Sequence, residues 1–172
     1  SFLLDDSVAA FAPYLRKPEI YRCPSSREVI AGTEAIRSYA MNPFMGAYGS
    51  WSWAVSRKYF RFQHLDDVTR PDHFFVFADL NQRYVCLPFM IVYLDQDAWH
   101  HPPATVHNYG GTLAFGDGHV EYKRWLEDAT QGLAAHPRWN SGPHLTPTKP
   151  GDRDLAWLRD HTTWEINRTN SP

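Results

Sequence analysis

The stretch that most restricts the fold runs from Thr112 to Lys123. Thr112-Leu113-Ala114-Phe115 and His119-Val120-Glu121-Tyr122-Lys123 flank Asp117-Gly118. Two short runs around an Asp-Gly pair specify an antiparallel hairpin. A two-residue turn of this kind needs positive φ at both central residues, which Asp and Gly tolerate. A second strand is read at His73-Phe74-Phe75-Val76-Phe77-Ala78, a nearly continuous apolar run suited to a central strand covered on both faces, with Asp79 at its exit.

The remaining elements are weaker. Val8, Ala9, Phe11, Ala12 and Leu15 recur at helical spacing and predict a short amphipathic helix over 6–15, interrupted by Pro13. Pro18 and Pro24 bracket an extended segment at 19–23, and Arg37 to Asn42, ahead of Pro43, reads as a strand. The Val85–Leu94 run contains Pro88, which demotes its first half to loop or edge strand. Gly132 to Gly151 is too rich in helix and strand breakers for regular structure, and Asp154 to His161 predicts a last helical turn or two. No repeat and no second domain is evident in the 172 residues.

Composition then excludes several classes. No apolar run reaches the eighteen residues of a spanning helix. Lys plus Arg total 17 against 19 Asp plus Glu. With no basic block to contact phosphates, no nucleic-acid partner is expected. Seven Trp, nine Tyr, ten Phe, nine His and 13 Pro favour short strands and ordered loops with stacking platforms. Cys23 and Cys86 lack C-x-x-C spacing, although one bridge in an oxidising compartment would close a long loop and restrict the unfolded chain by about 4 kcal/mol. G-x-S-x-G, P-loop, dinucleotide and H-E-x-x-H motifs are absent, which leaves serine hydrolase, nucleotide-binding and zincin readings without support.

His107-Asn108-Tyr109-Gly110-Gly111 leads to Phe115-Gly116-Asp117-Gly118-His119-Val120-Glu121 with nine residues between His107 and Asp117. This resembles the H-x9-D-G domain of prepilin-type, type II secretion pseudopilin-like proteins. Pro13-Tyr14-Leu15, Tyr21-Arg22-Cys23-Pro24-Ser25, Arg37 to Asn42, Phe75 to Asp79 and Trp157-Leu158 follow in the order usual for that family. The resemblance implies a pilin-like α+β domain, with a truncated N-terminal helix packed on a small antiparallel sheet with long aromatic-rich loops. It also implies an extracytoplasmic setting, a hydrophobic N-terminal anchor helix outside this chain, and other pilin-like subunits as partners through that helix. Leu80 stands where the family often has an acidic residue, and Tyr109 where a small residue is more usual.

Three chemistries compete with purely structural roles. Asp79, His107, Asp117 and His119 offer imidazole and carboxylate ligands for a divalent metal, or His107 simply braces the hairpin turn. No cofactor is otherwise required. His107 and Tyr109, with Arg57, Arg61 or Arg124 neutralising a sugar carboxylate, are the acid–base set expected of a polysaccharide lyase. Trp51, Trp53, Arg57 and Tyr59, with Trp99, His100, His101 and Asn108, are candidate polysaccharide contacts, unless these rings pack the core and its loops. Two functions follow from different classes. One is a non-catalytic filament or surface domain that binds polysaccharide. The other is a secreted lyase on the same scaffold. The lyase requires His107, Tyr109 and an Arg to line one groove.

Overall fold

The computed structural model describes residues 2–7, 9–30, 32–46, 57–135 and 145–166. Trp51 and Trp53 lie outside the described residues. The chain folds as a small α+β domain with antiparallel sheets and few helices. Its strands are β1 (Val29–Ile30), β2 (Thr33–Glu34), β3 (Tyr39–Met41), β4 (Phe75–Asp79), β5 (Ala98–Trp99), β6 (Gly110–Phe115), β7 (Val120–Arg124) and β8 (Thr146–Pro147). The main sheet has the order β3-β4-β6-β7, while β1 pairs with β2 and β5 with β8.

Alternation explains the main sheet. Gly111, Leu113 and Phe115 of β6 are buried, while Thr112 and Ala114 between them are half-buried on the other face. The buried face meets Phe75, Leu80, Met90, Trp99 and the paired Leu155 and Leu158 of helix α2 (Arg153–Asp160). Both leucines are fully buried, and each such burial contributes about 1.5–3 kcal/mol relative to exposure. Asp152 caps α2 by accepting hydrogen bonds from the Asp154 and Leu155 amides. On the opposite face Phe11 packs against Phe77 at 6.2 Å. A second cluster of Phe44, Phe62 and Phe74, flanked by Phe60 and Trp164, fills the side away from α2's leucines.

The hairpin, β3, the central strand and the last helix form where the residue pattern places them, but the stretch 132–151, expected to be irregular, holds a 3-10 helix at Gly132–Ala135 and β8, and four further details differ. The described part of 6–15, residues 6–7 and 9–15, forms turns, because Pro13 has no amide to continue a helical ladder, and the Ala9 carbonyl accepts instead from Ala12. Residues 18–21 form a 3-10 helix, because Pro18 sits at its first position, where a fixed φ favours helical entry; Arg22 returns to extended backbone. Four residues, 116–119, lie between β6 and β7, and among them only Gly118 has positive φ, at 90°. Gly116 and Asp117 donate to the Phe74 and Pro71 carbonyls, and a Cβ on Gly116 would come within 3.1 Å of Pro71, so the neighbouring segment shapes this loop. Finally, Cys23 and Cys86 are free thiols, each beside a different histidine, at 3.4 Å from His107 and 3.2 Å from His101.

No helix among the described residues is long and apolar enough to cross a membrane.

Candidate functional site

Asp79 ends β4 with its side chain only 1% exposed, and its Oδ2 lies 3.1 Å from Nε2 of His107. The contact lacks hydrogen-bond alignment, so Oδ2 has no hydrogen-bond partner. Burial pushes the Asp79 carboxyl up to about 6, against the opposing pull of His107. Cys23 Sγ approaches the same Nε2 atom, and the Cys23 amide donates to Ser38 Oγ at 2.7 Å.

The loop carrying His107 is tightly built. Tyr122 donates its hydroxyl to the His107 and Asn108 carbonyls at 2.8 and 3.0 Å, and the Trp125 amide donates to the Tyr109 carbonyl at 2.9 Å. Asn108 and Tyr109 adopt φ of 49° and 62°, a left-handed pair that is strained for Tyr. Gly110 must follow, because a Cβ there would overlap the Lys123 carbonyl and the Tyr122 ring.

The cavity beside this cluster, lined by Cys23, Ser38, Asp79, Asn81 and Thr105 among others, measures about 30 Å³. That is room for about two waters, and too little for a sugar ring. Thiol and carboxylate also share one ring nitrogen. A nucleophile–base–orienter relay needs them on opposite nitrogens, so Cys23, His107 and Asp79 do not form one.

The other expected residues separate. Tyr109 is 51% exposed, and Arg124 is exposed on β7 opposite Gly110; neither lines the cavity. Trp99 and His101 are buried in the interior rather than offered to a ligand: Trp99 belongs to the main core, and His101 Nδ1 accepts from the Ile91 amide. His100 is half-buried against the Tyr93 hydroxyl at 2.9 Å, and Asn108 is exposed at the turn. Two members of a Trp-His-His run read as ligand contacts face inward here, because Trp99 packs into the main core and His101 satisfies the Ile91 backbone.

A second depression differs in every respect. Arg57, Tyr59, Phe60, Arg61 and Ile166 line an open groove of about 480 Å³. The Phe60 ring stacks on Trp164 at 4.3 Å and 11°, and the Phe60 amide donates to the Trp164 carbonyl. Tyr59 donates to Asp95 Oδ1 at 2.6 Å, and its hydroxyl is pushed up to about 12, first by burial and then by Asp95. Ile166 is a lining residue that sequence reasoning missed. It arrives through backbone pairing with Lys58, which no local pattern announces.

The four expected metal ligands divide into two pairs. Asp79 and His107 lie at one end of β6, while Asp117 and His119 pair at 2.6 Å on the hairpin loop at the other. The pairings Phe75 with Phe115 and Ala78 with Leu113 set these ends apart by most of a strand, about 15 Å. Among the described residues the group that could hold a metal ion is His73, Asp160 and His161, none of which the sequence reading singled out. Asp160-His161 at the end of a helical pattern was the available signal, but its partner His73 lies 87 residues from Asp160.

No family model, no curated protein and no solved structure matches this chain.

Proposed function

We propose that this is a pilin-like, extracytoplasmic domain of a surface or secretion filament that binds acidic polysaccharide without cleaving it. The observation that carries the choice of binding over catalysis is the separation of size from chemistry. The space beside the His107 cluster is about 30 Å³, whereas the groove large enough for a sugar chain holds guanidinium and aromatic groups. Arg57 and Arg61 suit sugar carboxylates, and the Tyr59 and Phe60 rings supply apolar contact for pyranose faces. Tyr59 holds its proton well above neutral pH and is already committed to Asp95, so it is a poor acid–base catalyst there. The pilin-like assignment rests on the H-x9-D-G resemblance, with the four-stranded antiparallel sheet compatible with it.

The test is titration with polyuronate oligosaccharides and neutral glucans, while ultraviolet absorbance follows unsaturated ends. Saturable polyuronate binding, weakened at least about tenfold in Arg57→Ala and Arg61→Ala and with no new absorbance, is the expected outcome. Unsaturated product that disappears in His107→Ala would replace this reading with the lyase. No binding to any glycan would remove the polysaccharide role.

A further inference from the structure

We infer that His73, Asp160 and His161 form a binding site for a transition-metal dication of the Zn²⁺ class, joining the end of α2 to the segment that enters β4. His73 Nε2 lies 3.2 Å from Asp160 Oδ2, already the separation of two ligands around one tetrahedral ion with bonds near 2.1 Å. His161 Nδ1 lies 3.8 Å from the same oxygen, and all three ligand atoms lie within 4.8 Å of one another, so closing the site takes roughly 1.4 Å of movement at most along any edge. Asp160 is 70% exposed, and rotation of its side chain adjusts its two edges while leaving further coordination positions open to water. Two imidazoles with one carboxylate select a borderline ion over calcium or magnesium, which prefer all-oxygen shells.

The ligand-bearing segments are held together before any ion arrives. The Phe75 amide, two residues past His73, donates to the His161 carbonyl at 3.1 Å. Asn42 is fully buried and donates to both the Phe75 and Thr162 carbonyls, at 2.9 and 2.8 Å. The imidazoles stack on each other at 4.3 Å, and Trp157 stacks on the far face of His161 at 3.9 Å. The C-terminal end of α2, eight residues long, favours positive charge. His161 Nδ1 meets the Trp157 carbonyl at 2.7 Å, and His73 Nε2 meets the Asp160 carbonyl at 3.1 Å. Metal binding exchanges these cap-like contacts for coordination, with the His161 proton moving to Nε2 and the His73 proton to Nδ1. The competing account is that both histidines serve only to cap the helix.

The experiment uses the full chain without a histidine tag, stripped with chelator and titrated calorimetrically with Zn²⁺ and, separately, Co²⁺. One ion per chain is expected, with Tm rising by about 5 °C at saturation. Co²⁺ should quench tryptophan fluorescence, and Trp157→Phe should remove most of the quenching while leaving the calorimetric binding intact. Asp160→Asn, an exposed change that leaves the core untouched, and His73→Gln should each weaken binding at least about tenfold. His119→Ala should not alter it. No saturable binding, or binding indifferent to Asp160→Asn and His73→Gln, would leave helix capping as the sole role and overturn the site.

Discussion

Two histidine–aspartate pairs bracket the central strand, His73 with Asp160 near its start and His107 with Asp79 at its end. Their separations are nearly equal, 3.2 and 3.1 Å, yet the aspartate side chains are 70% and 1% exposed. Burial therefore sets what each pair can do. At the closed end the cost of removing a carboxylate from water pushes Asp79 up to about 6, and the adjoining cavity of about 30 Å³ is too small for a sugar ring. At the open end the carboxylate can turn toward an arriving ion. The same two residue types make an interior polar cluster in one place and a candidate ligand set in the other.

The largest effect expected from disturbing this contrast comes at the open end. Asn42→Ala strands the buried Phe75 and Thr162 carbonyls and the Phe44 amide, and should cost about 3 kcal/mol in urea unfolding. It should also loosen the frame beneath His73 and His161. A loss below about 1 kcal/mol would mean that stacking, not Asn42, holds that end together.

At the closed end, Asp79→Asn tests burial directly. Because the folded-state value is raised above the ordinary 3.8 to about 6, the folded protein holds more protons than the unfolded chain between those pH values. This group's contribution is therefore most favourable below about pH 4 and is lost as pH rises through 6. Asp79→Asn should gain about 2 kcal/mol relative to the unsubstituted protein on going from pH 4 to pH 8, read as the difference between their two pH profiles. Parallel profiles would show that the carboxylate is not destabilised by its surroundings.

The smallest effect concerns the strained turn. Tyr109→Gly removes a side chain from left-handed backbone and should stabilise the fold by up to about 1 kcal/mol without changing glycan affinity. Loss of glycan binding in a stable Tyr109→Gly protein would instead return the ligand to the His107 end.

Much of the frame was legible. The Asp117-Gly118 hairpin, the Phe75 strand, the Tyr39 strand and the final helix announce themselves because each is written in consecutive residues as turn chemistry or period. The failures have definite causes. Pro13 ended a helical pattern that five apolar positions suggested, and Pro18 opened a 3-10 turn where bracketing prolines implied extension. Trp99, His100 and His101 read as a ligand-facing cluster because local composition does not tell a lined groove from a lined core. The proposed metal quartet failed because His107 and Asp117, the two ends of one motif, flank a strand and so face opposite ends of the sheet.

The order of amino acids by itself determined where the hairpin turns, which strand is central, and which charges and aromatics were available. Each depends on backbone sterics or hydrophobic period acting over a few residues. Only the tertiary structure decided which histidine meets which aspartate, which carboxylate is buried, that the cysteines stay apart, and that Arg57 and Arg61 share a groove with Ile166. Those outcomes rest on contacts between distant segments, such as Asn42 joining Phe75 to Thr162, where the energy of burial depends on everything packed around the group and not on its neighbours in the chain.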